Sequence, residues 1–195
     1  MRRVFIIHGW GGSPKEPMHK WMKANLEKNG FEVITPEMPN AAEPKIKEWI
    51  GKLKEVVQNP DEETFFIGHS IGCQGVLRYI ETINPKIKIW GIVLIAPWMH
   101  LNEETIKEEG EEVIEIAKPW IETPINWEKI KLHTNKFVCI FSDNDPYVPL
   151  SEKELFQEKL GAKIIVEHNK GHFTESDNIK ENPTVLNELL RITKE

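Results

Sequence analysis

Three side chains in this sequence could work together as a nucleophile, a base and an orienting carboxylate. Ser70 lies at the centre of Gly68-His69-Ser70-Ile71-Gly72, a Gly-x-Ser-x-Gly pattern, and Asp145 and His172 follow it along the chain. Serine is a weak nucleophile at neutral pH, so it needs a base within hydrogen-bonding distance. The base in turn needs a carboxylate that fixes its tautomer. The three residues predict acyl transfer through a covalent serine intermediate.

The segment around Ser70 predicts a nucleophile elbow, which is a sharp turn from a strand into a helix. Residues 64–67 form an apolar run typical of a buried strand. Apolar residues recur at helical spacing after the turn, at Val76, Leu77, Ile80 and Ile83. Small residues two positions before and after the serine let the flanking backbone approach closely. Ser70 is therefore expected to project from the turn, with helix N-terminal N–H groups beside it.

The two partner side chains follow strands of their own. Asp145 comes just after the apolar run 136–141, and His172 lies in the loop after the short run 163–166. The carboxyl ends of parallel strands meet at one edge of a sheet, so both loops are expected to open beside Ser70.

The elements that must position these residues alternate along the chain. Strand-like runs cover residues 3–8, 31–35, 64–67, 87–95, 136–141 and 163–166. Helical patterns separate most of them, and another follows the last strand, around residues 185–192. Parallel neighbours need crossover helices, so this alternation predicts an α/β fold with a mainly parallel sheet of about six strands and helices on both faces.

One segment departs from the alternation. We interpret residues 1–195 as a single domain with a short insertion at about 98–132, lying over the edge of the sheet that carries Ser70. The insertion contains an acidic helix-like run, 103–118, with turn-forming prolines after it at 119 and 124.

Aromatic residues in and around the insertion could line a substrate pocket. Trp98, just after a strand, is the best candidate within it, and Trp10 and His69 are expected to join it. Trp120 and Trp127 are more simply read as packing the insertion onto the body. His8 and His69 are also expected to support their loops through hydrogen bonds.

Composition excludes several classes of partner. The chain has 195 residues and a formal net charge of −6, which argues against nucleic acid and against an anionic membrane as partners.

Cys73 and Cys139 lie in apolar segments, so buried thiols in a reducing compartment are expected rather than a disulfide or zinc site. His100 and His133 have no ligand-like spacing, and no metal or cofactor is expected. The first apolar run is too short for a signal peptide, so a cytoplasmic location is expected.

Four motifs together carry a family resemblance. They are His8-Gly9-Trp10-Gly11-Gly12, Gly68-His69-Ser70-Ile71-Gly72, Asp145-Pro146-Tyr147-Val148-Pro149 and Gly171-His172-Phe173. In this order, over nearly the whole chain, they resemble the α/β-hydrolase superfamily, with its three-layer sandwich. At this length, the chain looks most like the compact serine hydrolases related to retinoblastoma-binding protein nine.

The resemblance implies a role for each residue. Ser70 would be the nucleophile, His172 the base and Asp145 its orienter, while the backbone N–H groups of Trp10 and Ile71 would form the oxyanion hole. The expected reaction is hydrolysis of an acyl substrate, a small carboxylic ester. A small ester is the default because the short insertion leaves the site open. Thioester or peptide hydrolysis on the same residues stays an alternative, as does a protein-binding module with vestigial activity.

Two nearby residues rival the proposed partners of the serine. Asp143 stands two positions before Asp145, and His168 stands four before His172. The Asp-x-x-Val-Pro spacing of Asp145 matches the superfamily pattern, whereas Asp143 is more simply a turn former. His168 falls at the strand end without the flanking glycine, so His172 is the favoured base.

Overall fold

The computed structural model describes residues 1–194, and within them a six-stranded sheet forms the centre of the fold. The strands are β1 (Arg3–Ile7), β2 (Glu32–Ile34), β3 (Thr64–His69), β4 (Gly91–Ile95), β5 (Phe137–Ser142) and β6 (Lys163–Glu167). Their order is β2-β1-β3-β4-β5-β6, and every neighbouring pair is parallel. This confirms the predicted α/β fold with its parallel sheet.

Helices cover both faces of the sheet. They are α1 (Pro17–Lys28), α2 (Ile46–Val56), α3 (Ile71–Ile80), α4 (Glu103–Glu109), α5 (Glu111–Glu122), α6 (Trp127–Lys131), α7 (Glu152–Leu160) and α8 (Pro183–Ile192). The chain steps outward from β1 to β2 and then back past β1 to β3. Because crossovers between parallel strands are right-handed, α1 and α2 lie on opposite faces. Helix α2 packs against α3 and helix α1 against α8, which completes two helical layers.

The turn between β3 and α3 is held by close backbone contacts. Ser70 has φ 53° and ψ −124°, a left-handed conformation that costs a non-glycine residue about 1–3 kcal/mol. A Cβ on Gly72 would lie 2.5 Å from the carbonyl oxygens of Ile7 and His8, and one on Gly68 would lie 2.7 Å from Cα of Cys73. Both glycines are therefore required for α3 to approach the sheet closely.

Strand β4 is shorter than the sequence predicts. The apolar run 87–95 is expected to be one strand, but the strand begins at Gly91. The N–H of Ile87 donates to the carbonyl of Asn84 and closes a turn, so the chain aligns with β3 only from Trp90, whose N–H donates to Thr64. Hydrophobic composition alone cannot distinguish this partly exposed approach segment from the strand.

The segment 98–132 also differs in detail from its prediction. The acidic run 103–118 is not one helix, because Gly110 has φ 111° and ψ 166° and separates α4 from α5. Pro119 was expected to form a turn, yet it lies inside α5. Its missing N–H leaves out one hydrogen bond of the helix, the one to the carbonyl of Glu115, and α5 ends three residues later.

Large aromatic side chains attach this segment to the body. Trp120 is fully buried, stacks edge-on against Trp49 at 5.8 Å and donates its indole N–H to the carbonyl of Pro44. Trp127 meets Phe156 edge-on. Both tryptophans thus pack the segment onto the layer of α2 and α7, as the sequence favours.

Two further sequence expectations concern thiols and membranes. Cys73 and Cys139 are both buried free thiols. Within residues 1–194, no helix combines the length and the apolar character needed to cross a bilayer.

The glycine contacts at the elbow give a stability prediction. We expect Gly72→Ala to lower the free energy of unfolding by about 1–3 kcal/mol, because the new methyl group would press on two backbone carbonyls. Gly51→Ala is the control, since a Cβ there meets nothing within 4 Å and alanine favours the helix by about 1 kcal/mol. Urea unfolding of both variants measures the difference; equal stability of the two would contradict the account of the elbow.

Candidate active site

A continuous chain of hydrogen bonds joins the three residues singled out in the sequence. His172 Nε2 lies 2.8 Å from Ser70 Oγ, and His172 Nδ1 lies 2.8 Å from Asp145 Oδ2. Carboxylate oxygens accept hydrogen bonds, so Nδ1 carries the proton and Nε2 is free to accept one from the serine hydroxyl. Loops from the ends of three strands, β3, β5 and β6, bring these side chains together.

The carboxylate of Asp145 is fixed and shielded from water. Its side chain is 2% exposed. Oδ1 accepts the backbone N–H groups of Tyr147 at 2.9 Å and Val148 at 3.0 Å, which leaves Oδ2 for His172. The turn that follows Asp145 therefore aims one carboxylate oxygen at the imidazole.

The loop that carries His172 is held by side chains on either side. Asp177 Oδ2 accepts the N–H of His172 at 2.9 Å and that of Thr174 at 3.0 Å. Asn144 Oδ1 accepts the N–H of Gly171 at 2.9 Å, which ties this loop to the one that carries Asp145. Gly171 has φ 53°, and a Cβ there would lie only 2.1 Å from Asp177 Oδ1.

The two rival residues pair with each other instead of with Ser70. His168 Nδ1 lies 2.6 Å from Asp143 Oδ2, and the imidazole is 81% exposed. The hydrogen bond from His168 lowers the pKa of Asp143. Asp143 also accepts the N–H of Asn169 at 2.9 Å. This second acid–histidine pair joins the loops after β5 and β6 at the surface. The buried pair, Asp145 with His172, is the one beside Ser70.

The sequence predicts that two backbone N–H groups, those of Trp10 and Ile71, form an oxyanion hole. Ile71 is the first residue of α3, and Trp10 follows the loop after β1. Within the described residues, the structure records no protein acceptor for either N–H group. His8 holds the Trp10 loop, because its Nε2 accepts the N–H of Met38 at 3.0 Å. This agrees with the support role expected for His8.

A cleft of about 410 Å³ opens above Ser70 and His172. All three residues predicted to form a pocket line it: Trp10, His69 and Trp98. Trp98 is 1% exposed, so it forms part of the floor. The remaining walls come mainly from the segment 101–113 and from the loops after β5 and β6. The residues there are Leu101, Ile106, Glu109, Val113, Pro146, Tyr147, Thr174, Ser176 and Asp177.

Several of these wall residues were missed by reasoning from sequence. The sequence assigns no role to Glu109 within the acidic run 103–118, yet its carboxylate accepts the hydroxyl of Tyr147 at 3.1 Å and lines the cleft. Burial and the adjacent carboxylate raise the pKa of Tyr147. A charge pattern within one helix does not reveal which face turns toward a distant loop. Glu16, before α1, was likewise unremarked and also lines the cleft.

His69 lies between the cleft and the core. It is 3% exposed, and its Nε2 lies 2.8 Å from the carbonyl oxygen of His172. Burial holds the pKa of His69 well below its usual value. Because the carbonyl can only accept, the proton of the neutral ring sits on Nε2. His69 thereby supports the backbone of His172, in addition to lining the pocket.

The parallel sheet and the serine at a sharp strand-to-helix turn define an α/β-hydrolase fold. Solved structures of that class share it. The YdeN gene product of Bacillus subtilis matches with a TM-score of 0.90 at 22% identity, over 100% of both chains. A carboxylesterase structure from the thaumarchaeon Nitrososphaera gargensis matches with a TM-score of 0.75 at 17% identity, over 99% of this chain and 91% of that one.

Sequence comparison identifies the family. The chain belongs to the serine hydrolase family, whose model matches residues 4–191. The serine hydrolase RBBP9 of Rattus norvegicus is 27% identical over 189 residues, which cover 96% of this chain and 86% of that protein. YdeN of B. subtilis (strain 168) is 26% identical over 189 residues, covering 96% of this chain and 94% of that protein. The family agrees with the resemblance inferred from the four motifs.

Proposed function

We propose that this serine hydrolase cleaves small carboxylic esters through an acyl-enzyme formed on Ser70. The observation that carries the proposal is the unbroken series of hydrogen bonds from Ser70 through His172 to Asp145, each 2.8 Å long. Its order along the chain, serine, then aspartate, then histidine, is that of α/β-hydrolases. Similarity in fold to a carboxylesterase further supports the choice of ester over other acyl substrates.

The geometry suggests how each step would proceed. Ser70 Oγ attacks the ester carbonyl while His172 Nε2 takes the hydroxyl proton, and Asp145 stabilises the resulting imidazolium. The N–H groups of Trp10 and Ile71 hold the oxyanion. His172 then returns the proton to the leaving alkoxide, which departs as an alcohol. Water then attacks the acyl-enzyme while His172 again acts as the base. The carboxylic acid product leaves, and the Ser70 hydroxyl is regenerated.

The lining of the cleft bears on the charge of the substrate. Three carboxylic acids contribute to it: Glu16, Glu109 and Asp177. Neither lysine nor arginine occurs among the residues that line it in the described part of the chain. A volume of about 410 Å³ fits a small acyl group with its alcohol. We therefore propose a neutral or cationic ester as substrate rather than one that carries an extra carboxylate.

Substitutions at the acid and its rival test the assignment of roles. We expect Ser70→Ala, His172→Ala and Asp145→Asn each to lower kcat for p-nitrophenyl butyrate by on the order of 10³-fold or more, because each removes one part of the proton-transfer unit. Asp143→Asn is the matched control. It removes an equivalent carboxylate from the surface pair with His168, so kcat is expected to change by less than about threefold.

The same kinetic series can contradict the assignment in two ways. Turnover that survives Ser70→Ala at the wild-type rate would exclude Ser70 as nucleophile. A loss in Asp143→Asn as large as that in Asp145→Asn would show that the surface pair, rather than the buried one, serves the base.

Substrate charge gives a separate prediction. We expect kcat/KM for p-nitrophenyl butyrate to exceed that for the anionic p-nitrophenyl hemisuccinate by about five- to tenfold at low salt, because the cleft carboxylates repel the added charge. Glu109→Gln should bring the ratio of the two kcat/KM values closer to one, because it removes one of these carboxylates. Glu108→Gln, which changes a neighbouring charge outside the cleft lining, should leave it unaltered. A ratio near one in the wild type would contradict the electrostatic reading of the cleft.

A further inference from the structure

Two buried histidines lie side by side behind the cleft. His19 in α1 and His69 before Ser70 are 0% and 3% exposed, and their ring centroids are 5.9 Å apart. Each has one ring nitrogen on a backbone carbonyl. His19 Nδ1 lies 3.1 Å from the oxygen of Ser13, and His69 Nε2 lies 2.8 Å from that of His172. Carbonyls only accept, so these bonds place the protons on Nδ1 of His19 and Nε2 of His69.

The other nitrogen of each ring is left with a lone pair and no donor. Within the described residues, neither His19 Nε2 nor His69 Nδ1 has a hydrogen-bond partner, although both atoms are buried. Two lone pairs cannot satisfy each other. A buried polar atom without a partner destabilises the fold, because it has given up its hydrogen bonds to water and gained none. The two lone pairs, on His19 Nε2 and His69 Nδ1, could both be satisfied by a metal ion or a hydrogen-bond donor from outside the chain.

A carboxylate completes the cluster. Glu16 precedes His19 by three positions, a Glu-x-x-His spacing that puts both on one side of the helix start. One ligand atom from each of Glu16, His19 and His69 lies within 4.8 Å of the other two. Around a tetrahedral zinc ion the ligand atoms lie roughly 3.4 Å apart, since each bond is near 2.1 Å. Glu16 Oε2 lies 3.2 Å from His19 Nδ1, so the Glu16 side chain, which is 33% exposed, has to turn toward the Nε2 side of the ring to share an ion with it.

We propose that Glu16, His19 and His69 bind a divalent transition-metal ion, with zinc the best match for two imidazoles and one carboxylate. Metal-binding histidines typically donate their second N–H to a carbonyl or carboxylate, as both do here. Burial lowers the pKa of His19 and of His69, which keeps both rings in the neutral form that binds metal. Glu16 and His69 also line the cleft, so an ion and a water ligand have a path to the site.

This proposal departs from the expectation of no metal drawn from the sequence. The three ligands come from two distant segments, and only the fold brings them together. Since His69 donates to the carbonyl of His172, an ion on His69 Nδ1 would strengthen that bond and fix the backbone of the proposed base. The site is thus predicted to steady the His172 loop rather than to take part in bond cleavage.

Zinc binding to the tag-free, chelator-treated protein tests the proposal. We expect isothermal titration with ZnCl2 to give one ion per chain with a Kd below about 10 µM, and a higher Tm in its presence. Glu16→Gln and His19→Gln should each weaken binding at least tenfold and reduce the Tm increment, while circular dichroism shows that the metal-free variants are folded. Glu16→Gln keeps the shape of the side chain at a partly exposed position, so this variant is expected to fold. If His19→Gln fails to fold, Glu16→Gln still tests the proposal.

His133→Gln is the matched control. His133 is also fully buried, has Nδ1 2.8 Å from the carbonyl of Ile87 and leaves Nε2 without a partner, but it lies outside the cluster. It should bind zinc as the wild type does. Absence of stoichiometric binding in the wild type would overturn the proposal, as would equal affinity in Glu16→Gln, which would place the ion on surface pairs such as His168 with Asp143. Neither readout depends on ester hydrolysis.

Discussion

Close contact between the start of α3 and the edges of β1 and β3 is the constraint on which the remainder of the site depends. Gly72 lies against the carbonyls of Ile7 and His8, and Gly68 lies against Cys73, with no space for a Cβ at either. This contact forces Ser70 into left-handed backbone angles and turns its side chain outward. The cost of that conformation is offset by the strand and helix on either side, which are buried along their whole length. The elbow thus places both the hydroxyl and the first N–H of α3 at one point.

The partners of the serine are positioned by a different means. They lie in irregular loops after β5 and β6, where no strand-to-strand hydrogen bonds fix the backbone. Hydrogen bonds from backbone N–H groups to short polar side chains fix it instead. Asp145, Asn144 and Asp177 each accept backbone N–H groups, and the surface pair of Asp143 and His168 closes the outer end. Two carboxylates two positions apart therefore have distinct environments, one buried against the imidazole and one exposed. The parallel sheet brings these loops to Ser70, and the hydrogen bonds then set the distances.

Sequence reasoning reached the parts of this structure that are encoded locally. The alternation of strands and helices, the elbow and the family follow from short motifs and from apolar periodicity, since glycine spacing and strand ends are visible within a few residues. The break at Gly110, the start of β4 at Gly91 and the contact of Glu109 with Tyr147 were missed. The break at Gly110 has a local signal in the glycine itself, whereas the last two depend on packing between segments far apart in the chain. The approach of His19 to His69 is of the same kind, because nothing local to α1 reveals what lies across from it.

The most direct test of the central claim is covalent labelling with a fluorophosphonate, followed by intact mass and peptide mapping. The account predicts one label per chain, on Ser70, because its hydroxyl oxygen lies 2.8 Å from Nε2 of His172, the proposed base. Labelling should vanish in Ser70→Ala. A folded protein that takes up no label, or takes it up at another residue, would contradict the proposed acyl-enzyme and favour a protein-binding role for the fold.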